Sequence, residues 1–235
     1  MSSMIPTPLA EKRIAVLVDH KFIPEEIESY RIGFSLLGAS VEFISRIWWT
    51  NWTPESQTFY SDVDPLDDAP WESPHPLVVR CDISKVQIGD YAAIIMAANY
   101  TSVRLRWEDV PQGQATVDAR AYVQSPPVVR FFAEAMRNPR IIKGALCHGL
   151  WILTPFPELL KGRRVTCHTV VMPDILNCQA EVVFEKDERG QNIVAKVVTD
   201  RDLVTGYSKH EVLPFIQAIT EAILAVDESN ATKNR

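Results

Sequence analysis

Short, predominantly apolar runs punctuate the chain at 14–18, 41–45, 91–97 and 141–146. Runs of this length without strict alternation are the pattern of strands buried on both faces of a parallel sheet. Between the first two, Pro24 opens a helical pattern whose candidate buried positions are Ile27, Ile32, Phe34, Leu36 and Leu37. Proline suits a helix start, Glu25 and Glu26 suit the positive end of the helix dipole, and Gly38 reads as the stop. Strand, helix and strand form one βαβ unit, whose crossover should be right-handed. Further on, 128–136 reads as a helix, 165–185 and 192–206 as short strands around a brief helix near 171–177, and 210–226 as a closing amphipathic helix. Strands alternating with helices predict an α/β fold: a flavodoxin-like, doubly wound, mostly parallel sheet sandwiched by helices. Ligands bind such sheets at the carboxyl ends of the strands, here the segments after Val18, Ala97 and Leu146.

Residues 47–80 break this rhythm. Trp48, Trp49, Trp52, Phe59, Tyr60 and Trp71 are interleaved with Pro, Asp and Ser, which reads as an insertion, a hairpin on the rim of the domain. Its aromatics either pack locally under a long loop or form an oligomer surface or a wall over the active site. We expect a single domain over 12–228, with 1–11 and 229–235 as flexible ends. The formal net charge of −6 over 235 residues, with no basic cluster, argues against nucleic acid or a membrane surface as partner. No apolar run reaches transmembrane length, and residues 1–12 lack the apolar core of a secretory signal. Cysteines stand at 81, 147, 167 and 178 with no C-x-x-C pair, which argues against a zinc ribbon or a thioredoxin motif. They fit a reducing, cytoplasmic compartment, although an even number leaves disulfides open. No metal or other cofactor is expected.

The 141–146 strand runs into Cys147-His148-Gly149-Leu150, and the segment right after the cysteine reads as a helix. A thiol on that turn sits at the mouth of the sheet, facing backbone N–H groups and a helix N-terminus, both of which favour the thiolate. Gly149 leaves room for a sharp turn and for a substrate. A lone cysteine in apolar surroundings is mostly inert core, but a core strand has little use for His-Gly at its end. The same strand–nucleophile–helix geometry underlies the serine elbow of hydrolases.

The elbow Ala-Leu-Cys147-His148-Gly149 resembles that of the ThiJ/PfpI superfamily, related to the class I glutamine amidotransferase fold. Three other segments are similar to that family: Pro24-Glu-Glu-Ile-Glu28, which carries a buried glutamate there; Gly162-Arg-Arg-Val-Thr-Cys-His168; and Asp202-Leu-Val-Thr-Gly206 before the last helix. The resemblance covers roughly 12–46 and 86–226. Ala97-Ala98-Asn99 stands where the family has Pro-Gly-Gly, and Leu150 where it has Pro; asparagine tolerates left-handed angles, so the amide at Asn99 can keep its place.

The resemblance implies Cys147 as nucleophile, His148 as general base and, by position, Glu28 as the buried carboxyl. Ala98, Asn99, His168 and His20 would bind substrate, the first two through the oxyanion. It also implies a homodimer or larger assembly, in which a neighbouring subunit can supply the acid that orients His148. The expected substrate is a small carbonyl or acyl compound, handled in a glyoxalase III, deglycase, hydrolase or peptidase reaction. A glutamine amidotransferase is disfavoured, because His210-Glu211 lacks the spacer of that family's His-x-Glu pair. The rival expectation is a redox-sensing or chaperone-like stress protein with an oxidisable cysteine, Cys167 serving as a resolving thiol. A scaffold that only binds a ligand is the third.

Overall fold

The computed structural model describes residues 7–47, 55–62, 74–113 and 115–233. Trp48, Trp49, Trp52 and Trp71, which the sequence reading singled out, lie outside the described residues. In chain order, β1 (Arg13–Leu17) leads through α1 (Pro24–Leu36) to β2 (Ser40–Ser45). The insertion contributes β3 (Gln57–Tyr60), β4 (Pro76–Val79) and the two-residue β5 (Cys81–Asp82). Then come β6 (Ala93–Met96), α2 (Thr101–Leu105), α3 (Ala119–Gln124), α4 (Pro127–Met136) and β7 (Ile142–Leu146). The C-terminal third holds β8 (Arg164–Val165), α5 (Met172–Asn177), β9 (Glu181–Val182), β10 (Phe184–Lys186), β11 (Asn192–Val194), β12 (Val197–Asp200), β13 (Leu203–Gly206) and α6 (Val212–Lys233).

The main sheet has the order β12-β13-β7-β6-β1-β2-β5. Every pairing is parallel except β12 with β13. β1, β6 and β7 are buried nearly throughout, as their uninterrupted apolar runs require. The order reverses between β1 and β6, so the crevice beyond their carboxyl ends is a topological switch point. The expected hairpin is present: β3 and β4 pair antiparallel. It is tied to the loop between β1 and α1 through Lys21 N–H to the Tyr60 carbonyl (2.8 Å) and Asp62 N–H to the Phe22 carbonyl (3.0 Å).

Two sequence readings change. Phe34 and Ile27 are buried on α1 as expected, but Ile32 and Leu36 are exposed, and the buried stripe is Glu26, Ile27, Tyr30 and Phe34. Residues 7–11 form a turn whose Leu9 is fully buried, and α6 continues to Lys233, so neither expected flexible end begins where the sequence reading put it.

Glycines let the layers approach around β7. A Cβ on Gly144 would meet Phe215 of α6 at 2.9 Å and both Ile219 and Ile95 at 3.0 Å. One on Gly149 would meet the Met96 carbonyl oxygen at 2.9 Å. The room at Gly149 is therefore taken by β6, where the sequence reading kept it for substrate.

Candidate active site at the end of β7

Cys147 leaves the sheet with φ of 57°, in the left-handed region that costs a non-glycine residue about 1 kcal/mol or more. Its backbone holds it there: its N–H donates to the Gly206 carbonyl (2.8 Å), and its carbonyl accepts from His168 N–H (3.3 Å). The segment after it is a 3₁₀ turn, Gly149–Leu153, where a longer helix was expected. The thiol therefore owes its setting to individual amides more than to a helix dipole.

Asn99 takes the left-handed angle expected of it, φ 62°. Its backbone N–H, and that of His148, favour the charged form of the Cys147 thiol and so pull its pKa downward. Its side-chain amide donates to Asp62 Oδ2 (3.1 Å), and Asp62 Oδ1 accepts from Lys21 Nζ (2.8 Å). The side chain of Asn99 thus ties to the hairpin, leaving the backbone amide to face the sulfur.

The buried carboxyl is Glu26, not Glu28. Two residues along a helix turn the side chain by about 200°, so Glu28 projects outward, half exposed, and pairs with Arg31 (3.1 Å). Glu26 is fully buried, and both its oxygens accept from Ala98 N–H at 3.0 Å. That bond occupies the Ala98 amide expected to bind substrate. Burial pushes the Glu26 carboxyl up to about 8, against the downward pull of the Tyr30 hydroxyl and the Ala98 amide. Tyr30, one turn further along α1, is fully buried and feels both Glu26 and Cys147, yet its hydroxyl has no hydrogen-bond partner of good geometry. The clue was present in the sequence: Glu26, Tyr30 and Phe34 recur every four residues, which marks one helix face.

Cys147 is only 7% exposed, and burial, reinforced by Glu26, pushes its thiol up to about 12. The expected resting thiolate is thereby corrected to a neutral thiol. At neutral pH Glu26 is itself mostly protonated, which relieves the part of that shift owed to its charge. His148 Nδ1 lies 3.4 Å from Sγ. Burial, then the neighbouring His168, lower His148 to about 4, so it is a neutral base beside a neutral thiol. The contacts of its ring are aromatic: Tyr100, Trp151 and His168.

His168 joins the site, its ring centroid 5.0 Å from that of His148, with Nδ1 accepting from Val170 N–H (3.4 Å). His20 is engaged by the hairpin: its Nδ1 accepts from Tyr60 N–H (3.0 Å), and its ring packs on Phe59 and Tyr60. His210 opens the last helical segment, where Ser208 and Glu211 form a capping box. All four cysteines are free, and Cys167 is a buried thiol pushed up to about 12. Among the described residues no three His, Cys, Asp or Glu side chains are grouped to hold a metal ion, and no helix is long and apolar enough to cross a membrane.

The sequence model of the DJ-1/PfpI family matches residues 113–222, which include the elbow. No curated protein matches the chain. Among solved structures, a ThiJ/PfpI domain protein from Brachyspira murdochii superposes with a TM-score of 0.66 at 12% identity, covering 92% of this chain and 98% of that one. A DJ-1 superfamily protein from Salmonella typhimurium gives 0.61 at 20% identity, over 95% and 98%. A two-domain protein from Anabaena variabilis, with DJ-1/ThiJ/PfpI-like and ferritin-like domains, gives 0.65 at 17% identity and 89% coverage; this chain spans 47% of its length. The chain has the ThiJ/PfpI superfamily fold.

Proposed function

We propose that the chain is a cysteine-dependent enzyme in which Cys147 adds to the carbonyl carbon of a small aldehyde or acyl compound. The observation that carries this is the thiol on a left-handed elbow, 3.4 Å from His148 Nδ1, where two backbone amides favour its charged form. Strain kept at one reacting atom and amides aimed at it suit catalysis better than packing. As the S–C bond forms, the thiol proton passes to Nδ1 and the carbonyl π pair moves onto oxygen, where the amides of His148 and Asn99 can hold it. A 2-oxoaldehyde then takes the proton back as a hemithioacetal, and moving its C–H proton through His148 to the adjacent carbonyl carbon gives a 2-hydroxy thioester that water hydrolyses. An acyl compound expels its leaving group, and water releases the acid. Glu26, protonated at neutral pH and within electrostatic reach of the thiol, is the second proton store.

The redox-sensor reading is weaker, since oxidation by peroxide follows thiolate character and this thiol is held protonated. Four free cysteines fit a reducing cytoplasm. Turnover of methylglyoxal and of p-nitrophenyl acetate tests the proposal. Cys147→Ser should lose at least about a thousand-fold in kcat/KM. Equal rates for the variant and the parent would end the nucleophile assignment.

A further inference from the structure

Five rings stand together at the carboxyl edge of the sheet. Tyr100 follows β6, His148 and Trp151 follow β7, Tyr207 follows β13, and His168 comes from the segment before α5. Tyr100 stacks on His148 (centroids 5.5 Å, planes 16° apart), and His148 on Trp151 (5.1 Å, 25°). His168 packs on His148 and stacks on Tyr207 (5.7 Å, 25°). The row therefore bridges the three strand ends nearest Cys147 and includes the base itself.

Two of its members are tied by hydrogen bonds. Trp151 Nε1 donates to Asp174 (2.7 Å), and the Tyr207 hydroxyl shares a hydrogen bond with Thr169 Oγ1 (3.3 Å). It is also reachable: Tyr100 is 45% exposed, and Trp151, His168 and Tyr207 are half-buried. The nearby cations face carboxylates: Arg104 pairs with Asp19, Lys21 with Asp62, and half-buried Arg106 lies within electrostatic reach of Asp174. Partly exposed rings whose neighbouring cations are already balanced favour a flat, uncharged body over an aliphatic or anionic one.

We propose that this aromatic row is the substrate-recognition wall of the site, and that the carbonyl attacked by Cys147 carries an aryl or similarly flat, uncharged substituent. The inference rests on the carbonyl-addition reading above and adds its substrate class.

The test compares two methyl ketones of equal size, acetophenone and cyclohexyl methyl ketone, titrated against the whole chain by saturation-transfer NMR. Acetophenone should bind about three- to ten-fold more tightly, the range expected of one stacking contact. Tyr100→Leu, at a half-exposed position outside the core, should erase the difference. Equal binding of the two ketones, binding of neither, or a preference that survives Tyr100→Leu would overturn the proposal. Phenylglyoxal and cyclohexylglyoxal, assayed in parallel, separate it from the reading beneath it. An acetophenone preference without turnover of either aldehyde would keep the wall and reject carbonyl addition. Turnover of both at equal kcat/KM, with no ketone preference, would reject the wall and keep the chemistry.

Discussion

The two ends of β7 bury ionisable groups in opposite ways. Near its start, fully buried Lys143 donates to the Asp202 carboxylate and to the Asn138 carbonyl (2.9 Å). Asp202 also accepts from Arg163 (2.8 Å), whose Nε reaches Asp200 (2.7 Å). Two cations meet two carboxylates. Burial still lowers Lys143, but for Asp202 the burial penalty is outweighed by Lys143 and Arg163, and its carboxyl lies below the usual range. Just past the other end, Glu26, Cys147, Tyr30 and His148 are buried together without a cation. Each adopts its neutral form: the three acids are pushed up and the imidazole down. Burial with an opposite charge preserves ions; burial without one preserves protons, which a reaction can then move.

The largest effect should come from breaking the paired end. Asp202→Asn leaves Lys143 and Arg163 without their shared carboxylate, and urea unfolding at pH 7 should show a loss of about 3–5 kcal/mol. A loss under about 1 kcal/mol would mean that the network is no better than a surface pair.

The unpaired end should show itself through pH. A carboxyl raised by folding stabilises fully below its unfolded value, and this is lost as pH rises through the folded one. For Glu26 that window runs from 4.5 to about 8. His148 has the opposite sign: its lowered value costs stability as pH falls from 6.5 to about 4. The two oppose each other between 4.5 and 6.5, and Glu26 acts alone from 6.5 to 8. Over that upper interval the protein should lose about 2 kcal/mol more than Glu26→Gln does, read from urea midpoints at the two pH values. Parallel curves for the two proteins would contradict a neutral buried Glu26.

The smallest effect belongs to Tyr30→Phe, which removes an unmet hydroxyl and keeps the ring against Phe34 and Phe215. Stability should hold or rise by up to about 1 kcal/mol. With no hydrogen bond to Glu26 lost, the pH dependence of stability should keep its place. A loss of more than about 1 kcal/mol would mean that the hydroxyl is bonded after all.

The apolar runs were enough to read the parallel strands, and Gly38, at φ 92°, ends the helix as expected. Asn99 was legible because few other residues accept its backbone angle. Glu26 was misread because acids at a helix start look alike whether they face water or sulfur. Only the phase set by Tyr30 and Phe34 separates it from Glu28. The state of the thiol was illegible for a related reason: local amides can be read from an elbow, whereas the dryness around it is made by distant side chains such as Tyr30, brought there by α1.

The close approach of α6 to Gly144 ties mutational tolerance to position in a way that chemistry alone would not suggest. That residue has no functional group, yet a single added methyl would press on Phe215, Ile219 and Ile95 and wedge the strand that leads to Cys147. Drift at this position is therefore closed to almost every alternative, while the exposed Ile32 and Leu36 of α1 are free to change. Packing alone thus constrains a silent glycine as tightly as the elbow constrains Cys147.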